Sequence, residues 1–391
     1  MTRLIRASLR CGLLAVTLGS PLRAQSVQTT TGLQRCPADS VVAITAPEIP
    51  LPLEAATAGI TRFSFIAYGD TRGRHDGREI QAEHELVMES MLGTIKTLAN
   101  TPDAVRFVLQ SGDGVQNGRI AAHWNVSYSP LINRLTASGT PYFLSVGNHD
   151  VTSAQSLSDS GRIVGLCHYL AANTNLIPPE GSPHRLVGYP SYAFGFGNSW
   201  FIAFDSDIAA DSAQVAWVEK ELRQVDRKRY TNVVLFFHHP PFSSGPHGGA
   251  QVESEAAAIR ARYMPLFHKY HVRLLLNGHE HLFEHWVEHY QDSSGSHRLD
   301  EIVSGGGGAP LYAYTGEPDL RDYLKANSAA KVTLMHLVKP SPIPGANPFH
   351  YVVVHVNGDQ ISVDVVGVDW GKGFAPYQAS SASLSDKKPP Q

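Results

Sequence analysis

From Arg62 onward the chain alternates short apolar runs with longer stretches in which apolar residues recur every three or four positions. The runs "RFSFIAYG", "VRFVLQSG", "PYFLSVG", "SWFIAFDS", "NVVLFFH" and "VRLLLNG" are rich in β-branched and aromatic residues and have the length of buried strands. Between them, Glu79 to Ala99 places Ile80, Val87, Met91, Ile95 and Leu98 along one helical face, and Asp211 to Arg227 and Glu253 to Tyr270 predict further helices. Such alternation predicts a largely parallel sheet with helices packed outside it. After Leu299 the pattern changes to strands without helices: "EIVSGGGGAP", "FHYVVVHVN" and "DQISVDVVGV", the last two joined as a hairpin through Asn357-Gly358-Asp359. No internal repeat and no interdomain linker stands out, so residues 61–370 form a single domain. An extended arm rich in Thr, Ala and Pro (25–60) precedes it, and a disordered tail (371–391) follows.

Composition adds a compartment to this picture. Hydrophobic residues make up 42% and charged residues 17%, as in a globular protein. Residues 1–24 differ: Arg3, Arg6 and Arg10 precede the apolar run "CGLLAVTLG", with a small-residue cleavage site before Gln25. This reads as a secretory signal peptide, too short for a membrane span, and implies a secreted or periplasmic protein. No other stretch is long and apolar enough to span a membrane. The formal net charge is −3, and the first 24 residues hold four arginines and no acid, so nucleic acid is not an expected partner. Cys36 and Cys167 remain after cleavage, as one disulfide or as two buried thiols.

The chemistry collects at the carboxyl ends of the strands, where ligands bind in open α/β sheets. Five ends each deliver a metal-capable side chain, four of them behind a glycine: Asp70 in "GDTRG", Asp113 in "GDG", Asn148, His149 and Asp150 in "GNHD", His238 and His239 in "FFHHPPF", and His279 and His281 in "GHEH". Oxygen and nitrogen ligands without thiolates suit zinc, iron or manganese. The set exceeds the needs of one ion and suffices for two if a carboxylate bridges, and an ion pair favours in-line displacement at phosphorus. One stretch reads two ways: "NGHEHLFEH" contains H-x-x-E-H (His281, Glu284, His285), a zinc-protease pattern that requires a helix, or it is a strand-end loop carrying two ligands. The protease reading leaves Asp70, Asp113 and Asn148 unexplained.

The ordered set GD, GD, GNHD, H-x-P and GHxH resembles the calcineurin-like metallophosphoesterase superfamily, which includes purple acid phosphatases and bacterial phosphodiesterases; the likeness spans about Arg62 to Gly308. The resemblance implies an α/β four-layer α/β/β/α sandwich of two mixed sheets flanked by helices. It implies that Asp70, Asp113 and His281 hold a first ion, that Asp113 bridges, and that Asn148, His238 and His279 complete a second, the ions being Fe, Mn or Zn. It further implies hydrolysis of small phosphate mono- or diesters by hydroxide generated at the metals, with His149 assisting and Asp150 orienting His149. Two positions depart from the pattern. Arg72 stands where the family has a histidine ligand, and Gln116 where purple acid phosphatases have a tyrosinate. A guanidinium has no lone pair to offer a cation, so the first ion is expected to be held weakly, with no purple colour. Gln116 or water is then expected to fill the gap, and Arg72 to contact the substrate phosphate. His247 in the Gly-rich loop is a candidate for the substrate pocket, and the glycines of "SGGGGAP" are expected to permit close backbone approach to the site. The alternative function is a catalytically silent secreted binding protein. Oligomeric state is left open.

Overall fold

The computed structural model describes residues 41–151, 158–249 and 252–369, with strand backbone also at Gly373–Pro376 and Ala382–Ser383. All of these fall in the compact unit Thr31–Gln391. The expected signal peptide, Cys36 and most of the tail lie outside the described residues; Cys167 is disulfide-bonded.

Two seven-stranded sheets form the centre. The first contains β1 (Arg62–Tyr68), β2 (Val105–Gln110), β3 (Tyr142–Leu144), β11 (Phe349–Asn357), β12 (Gln360–Asp369), β13 (Gly373–Pro376) and β14 (Ala382–Ser383); the second contains β4 (Tyr192–Phe196), β5 (Ser199–Ala203), β6 (Asn232–Phe236), β7 (Leu274–Asn277), β8 (Phe283–Asp292), β9 (Gly295–Ser304) and β10 (Thr333–Val338). In the first sheet β1, β2 and β3 are parallel and β11 returns antiparallel beside β1. In the second, β5, β6, β7 and β9 are parallel, with antiparallel β4 at one edge and the β8–β10 pair at the other. Both sheets are therefore mixed. The helices are α1 (Ala82–Leu98), α2 (Ser129–Ala137), α3 (Asn148–Val151), α4 (Ser160–Ala172), α5 (Ser212–Gln224), α6 (Ser254–Arg262), α7 (Met264–Lys269) and α8 (Arg321–Ala326).

Strand alternation builds the layers. Val234 and Phe236 of β6 join the core between the sheets, whereas Val233 and Leu235 join the cluster formed with Val218 and Leu222 of α5 and Ile259 of α6. On β1, Phe63 and Phe65 meet Phe196 and Phe201 of the other sheet at ring-centroid distances of 4.9 and 5.2 Å. Tyr68, on the opposite face, bonds His84 of α1 at 3.1 Å. Phe107 of β2 sits among these rings, edge-on to Phe201 at 5.1 Å and Phe194 at 5.6 Å. Helix α5 starts where the Asp211 carboxylate accepts the Gln214 N–H at 2.8 Å, one of the donors a helix start leaves unpaired. The arrangement is the expected four layers, α/β/β/α.

All six strands and the 357–359 hairpin read from the sequence are present, with Asn357 opposite Gln360. The helix expected over 253–270 divides at Tyr263–Met264, because Pro265 lacks the N–H a continuous helix needs and sits instead in the first turn of α7. Helices α2, α4 and α8 and strands β4 and β10 were not foreseen. The tail expected to be disordered contributes β13 and β14 to the edge of the first sheet, paired with β12. The described part of the arm is tied down: Ile44 is buried, its N–H bonding the Ala172 carbonyl at 2.8 Å.

Candidate metal centre

Every strand end singled out above points into one place. Asp70 follows β1, Asp113 follows β2, Asn148 opens α3 after β3, His238 follows β6, and His279 and His281 follow β7. The first sheet thus supplies the carboxylates and the amide, and the second the imidazoles. Carboxylate oxygens of Asp70 and Asp113 and a ring nitrogen of His238 lie within 4.8 Å of one another, and all three residues are buried. The local backbone is forced: Asp70, Asp113 and His279 have φ of +60°, +55° and +70°, three of the five non-glycine residues with positive φ among the described residues. Each such residue costs on the order of 1–3 kcal/mol, a strain that clusters at functional sites. Close approach explains one neighbour, since a Cβ on Gly147 would collide with the backbone nitrogen and Oδ1 of Asp113.

The hydrogen bonds fix which atoms are left to face inward. His238 Nδ1 lies 2.9 Å from the Ser111 carbonyl, which can only accept, so Nδ1 carries the proton. His279 Nε2 lies 2.8 Å from the Glu253 carboxylate and donates to it. Burial holds His238 below its ordinary pKa, favouring the neutral ring. Its bare Nε2 then faces Asn148 Oδ1 at 2.9 Å, His279 Nδ1 at 3.2 Å and Asp113 Oδ1 at 3.4 Å. With the His279 ring neutral as well, four lone-pair atoms converge with no proton among them. Asp70 Oδ2 accepts the His279 N–H at 2.8 Å, while its Oδ1 is buried without a hydrogen-bond partner. Burial pushes the Asp70 carboxyl up to about 6. For Asp113 burial acts the same way, but the Arg72 guanidinium, and the His238 and His149 rings when protonated, outweigh it and hold the group well below the usual range. A buried donor-free cluster of this composition fits a divalent cation held by Asp70, Asp113, Asn148, His238 and His279.

His281 is arranged differently. Its Nδ1 donates to the Pro310 carbonyl at 2.7 Å, leaving Nε2 3.5 Å from Asp70 Oδ1 and 3.3 Å from Arg72 Nη2. The Arg72 side chain, only 13% exposed, also reaches Asp113 Oδ2 through Nε at 3.3 Å and Gln116 Oε1 through Nη1 at 2.8 Å. Gln116 therefore turns its amide oxygen to Arg72, whereas the sequence suggested it as a substitute ligand.

His149 donates its backbone N–H to Asp113 Oδ1 at 2.9 Å, and its Nδ1 donates to the Gln116 carbonyl at 2.8 Å. Nε2, 4.0 Å from Asp113 Oδ2, is the ring atom left toward the centre. Asp150 does not orient this ring. Its carboxylate instead accepts the backbone N–H groups of Asp113 (2.9 Å), Gly147 (2.9 Å) and Val115 (3.3 Å), tying together the loops that carry Asp113 and Asn148. Burial and the Asp113 charge push Asp150 well above the ordinary carboxyl range against those three bonds.

His239 lies outside the central set, with Nδ1 bonded to Ser206 Oγ at 2.8 Å, although it offers a ligand atom close to Glu253 and His279. Glu253 was read from the sequence only as the start of a helix. It bridges His279 and His247, each at 2.8 Å, and a carboxylate behind a ligating imidazole fixes its tautomer. The His247 ring lies tilted against His279, with centroids 4.6 Å apart. Tyr312, also missed, stacks on His281 at 4.0 Å. The glycines of "SGGGGAP" do lie against the site, Gly305 beside Glu280 and Asp70. Glu284 and His285 lie on strand β8, bonded to Ser244 (2.9 Å) and Asp300 (2.7 Å), which removes the helix that the protease pattern needs. A separate group, His271, Asp292 and His297, sits at the other end of β8, its two imidazoles stacked parallel at 4.0 Å.

The family model for calcineurin-like phosphoesterases matches residues 87–283, a span that includes Asp113, Asn148, His149, His238, His279 and His281 but not Asp70 or Arg72. Among curated proteins, Probable purple acid phosphatase 20 of Arabidopsis thaliana is 28% identical over 161 residues, 40% of this chain and 35% of that protein. Among solved structures, purple acid phosphatase PPD1 from yellow lupin (Lupinus luteus) seeds superposes with a TM-score of 0.58 at 18% identity, covering 82% of this chain and 53% of that one. PhoD superposes with a TM-score of 0.51 at 14% identity, covering 87% and 74%. The chain thus spans about a third of the curated relative and about half of the lupin enzyme.

Proposed function

The chain belongs to the calcineurin-like phosphoesterase family, and from that premise we propose that it is an exported, metal-dependent hydrolase of small phosphate mono- or diesters. The observation that carries this reading is the convergence of His238 Nε2, His279 Nδ1, Asn148 Oδ1 and Asp113 Oδ1 on one buried point. Bound there, a divalent cation supplies Lewis acidity toward a phosphoryl oxygen and makes hydroxide available near neutral pH.

The chain's own residues do the rest. Asp113 offers carboxylate charge at the junction of the two sheets. His149, with Nδ1 pinned by the Gln116 carbonyl, presents Nε2 to the substrate space, where it passes a proton to the departing oxygen or meets charge developing on the phosphoryl group. Arg72 keeps N–H groups beyond those bonded to Asp113, Gln116 and His281, in the planar fork that suits phosphate oxygens. Export rests on residues 1–24. No helix among the described residues is long and apolar enough to cross a membrane.

The test is hydrolysis of p-nitrophenyl phosphate and bis-p-nitrophenyl phosphate before chelation, after it, and after Mn or Zn is restored. Loss on chelation and recovery with metal is the expected result. Undiminished turnover by metal-free protein contradicts the proposal, and no turnover with any metal returns the silent binding protein.

A further inference from the structure

We propose that Arg72 stands in for one of the two expected ions, so that the centre holds a single divalent cation beside a resident guanidinium. The proposal rests on reading this site as a metal centre and concerns what fills its His281 side.

That side is already filled. Because His281 Nδ1 donates to the Pro310 carbonyl, the ring's only lone pair is on Nε2, and it faces Arg72 Nη2 at 3.3 Å. An imidazole–metal bond places the ion about 2.0–2.1 Å along that lone pair, where it would overlap the guanidinium. His281 therefore serves Arg72 or an ion, and not both. Two of the other donors that could complete such a site are taken by the same group: Gln116 Oε1 accepts from Nη1 at 2.8 Å, and Asp113 Oδ2 faces Nε at 3.3 Å, which leaves Asp70 Oδ1, 3.5 Å from His281 Nε2, as the one carboxylate oxygen there without a hydrogen-bond partner.

The guanidinium is also held from behind. The backbone N–H groups of Thr71 and Arg72 donate to the Asp113 carbonyl at 3.0 and 3.2 Å, so the arginine springs from beside the carboxylate it pairs with, and its side chain is 13% exposed. The His238 half of the site has no such guanidinium against it: Nε2 of His238 faces Asn148 Oδ1, His279 Nδ1 and Asp113 Oδ1. One half has a resident cation and the other has ligands awaiting one. A guanidinium cannot acidify water, but it carries fixed charge and N–H donors. Activation of water thus falls to the one ion, and Arg72 is left to hold a phosphoryl oxygen.

The measurement is metal content per chain of the purified protein reloaded with excess Mn(II) and desalted, read by elemental analysis and by electron paramagnetic resonance. The expected result is about one Mn per wild-type chain with an uncoupled six-line spectrum, and about two per chain with an exchange-coupled spectrum in Arg72→His. Two coupled ions in the wild type overturn the proposal, and so does a folded Arg72→His protein, checked by circular dichroism, that still takes one. If that variant does not fold, the wild-type count decides alone. A parallel ester assay separates the two readings. One ion without hydrolysis defeats the proposed function and leaves this inference standing; two ions with hydrolysis do the reverse. Wild-type protein that retains no Mn overturns both.

Discussion

Asp113→Asn is expected to lower kcat/KM for phosphate esters by at least about 10³-fold, roughly 4 kcal/mol of transition-state stabilisation, and to lose most bound metal. Asn is nearly isosteric, and its Oδ1 can still accept the His149 N–H that Asp113 Oδ1 now accepts at 2.9 Å. What goes is the charge. That charge faces His238 at 3.4 Å, Arg72 at 3.3 Å and His149 at 4.0 Å, and it is the buried carboxylate common to both halves of the site. The variant should therefore melt below the wild type when both are metal-free, because a carboxylate held below its ordinary range stabilises the fold, and fall further behind when metal is added, because only the wild type gains binding energy. Retained metal with retained turnover would remove Asp113 from the centre.

The second large effect is structural in origin. Asp150→Ala leaves the backbone N–H groups of Asp113, Val115 and Gly147 buried without their acceptor. At about 1–3 kcal/mol for each stranded donor, a loss of roughly 3–9 kcal/mol is expected, a large part of the stability of an ordinary domain. Metal affinity should fall with it, since the same three bonds place the loops bearing Asp113 and Asn148. Asp150→Asn keeps an acceptor oxygen and should recover much of both. If Asp150 acted by charging His149, the Asn variant would instead keep stability and lose turnover. Thermal melts of both variants, read against kcat, separate the two roles.

These two aspartates illustrate what a sequence reveals about such a site. Asp70, Asp113, Asn148, His238, His279 and His281 were legible because each sits at the end of a short apolar run, four of them with a glycine turn upstream, so local pattern alone put them at one edge of the sheets. The role of Asp150 was not legible: it stands in "GNHD" beside His149, yet its bonds run to a different loop 35 to 37 residues away. Glu253 and Tyr312 act only through rings brought to them by folding, and no spacing links them to His279 or His281. Arg72 and Gln116 were visible as departures from the family pattern, but their bond to each other, 44 residues apart in the chain, is made by the fold alone. In the fold, strands with β-branched runs declared themselves. Helix α4 was not foreseen, although the Asp159 carboxylate caps it by accepting the Arg162 N–H at 2.9 Å. Pro265 was a visible stop inside an otherwise helical pattern.

The most direct measurement is anomalous diffraction from crystals of the protein soaked with Mn(II). The account predicts a peak bounded by Asp70, Asp113, Asn148, His238 and His279, with the Arg72 guanidinium still against His281. Density confined to another place, such as His271, Asp292 and His297, with nothing among those five side chains, would contradict it.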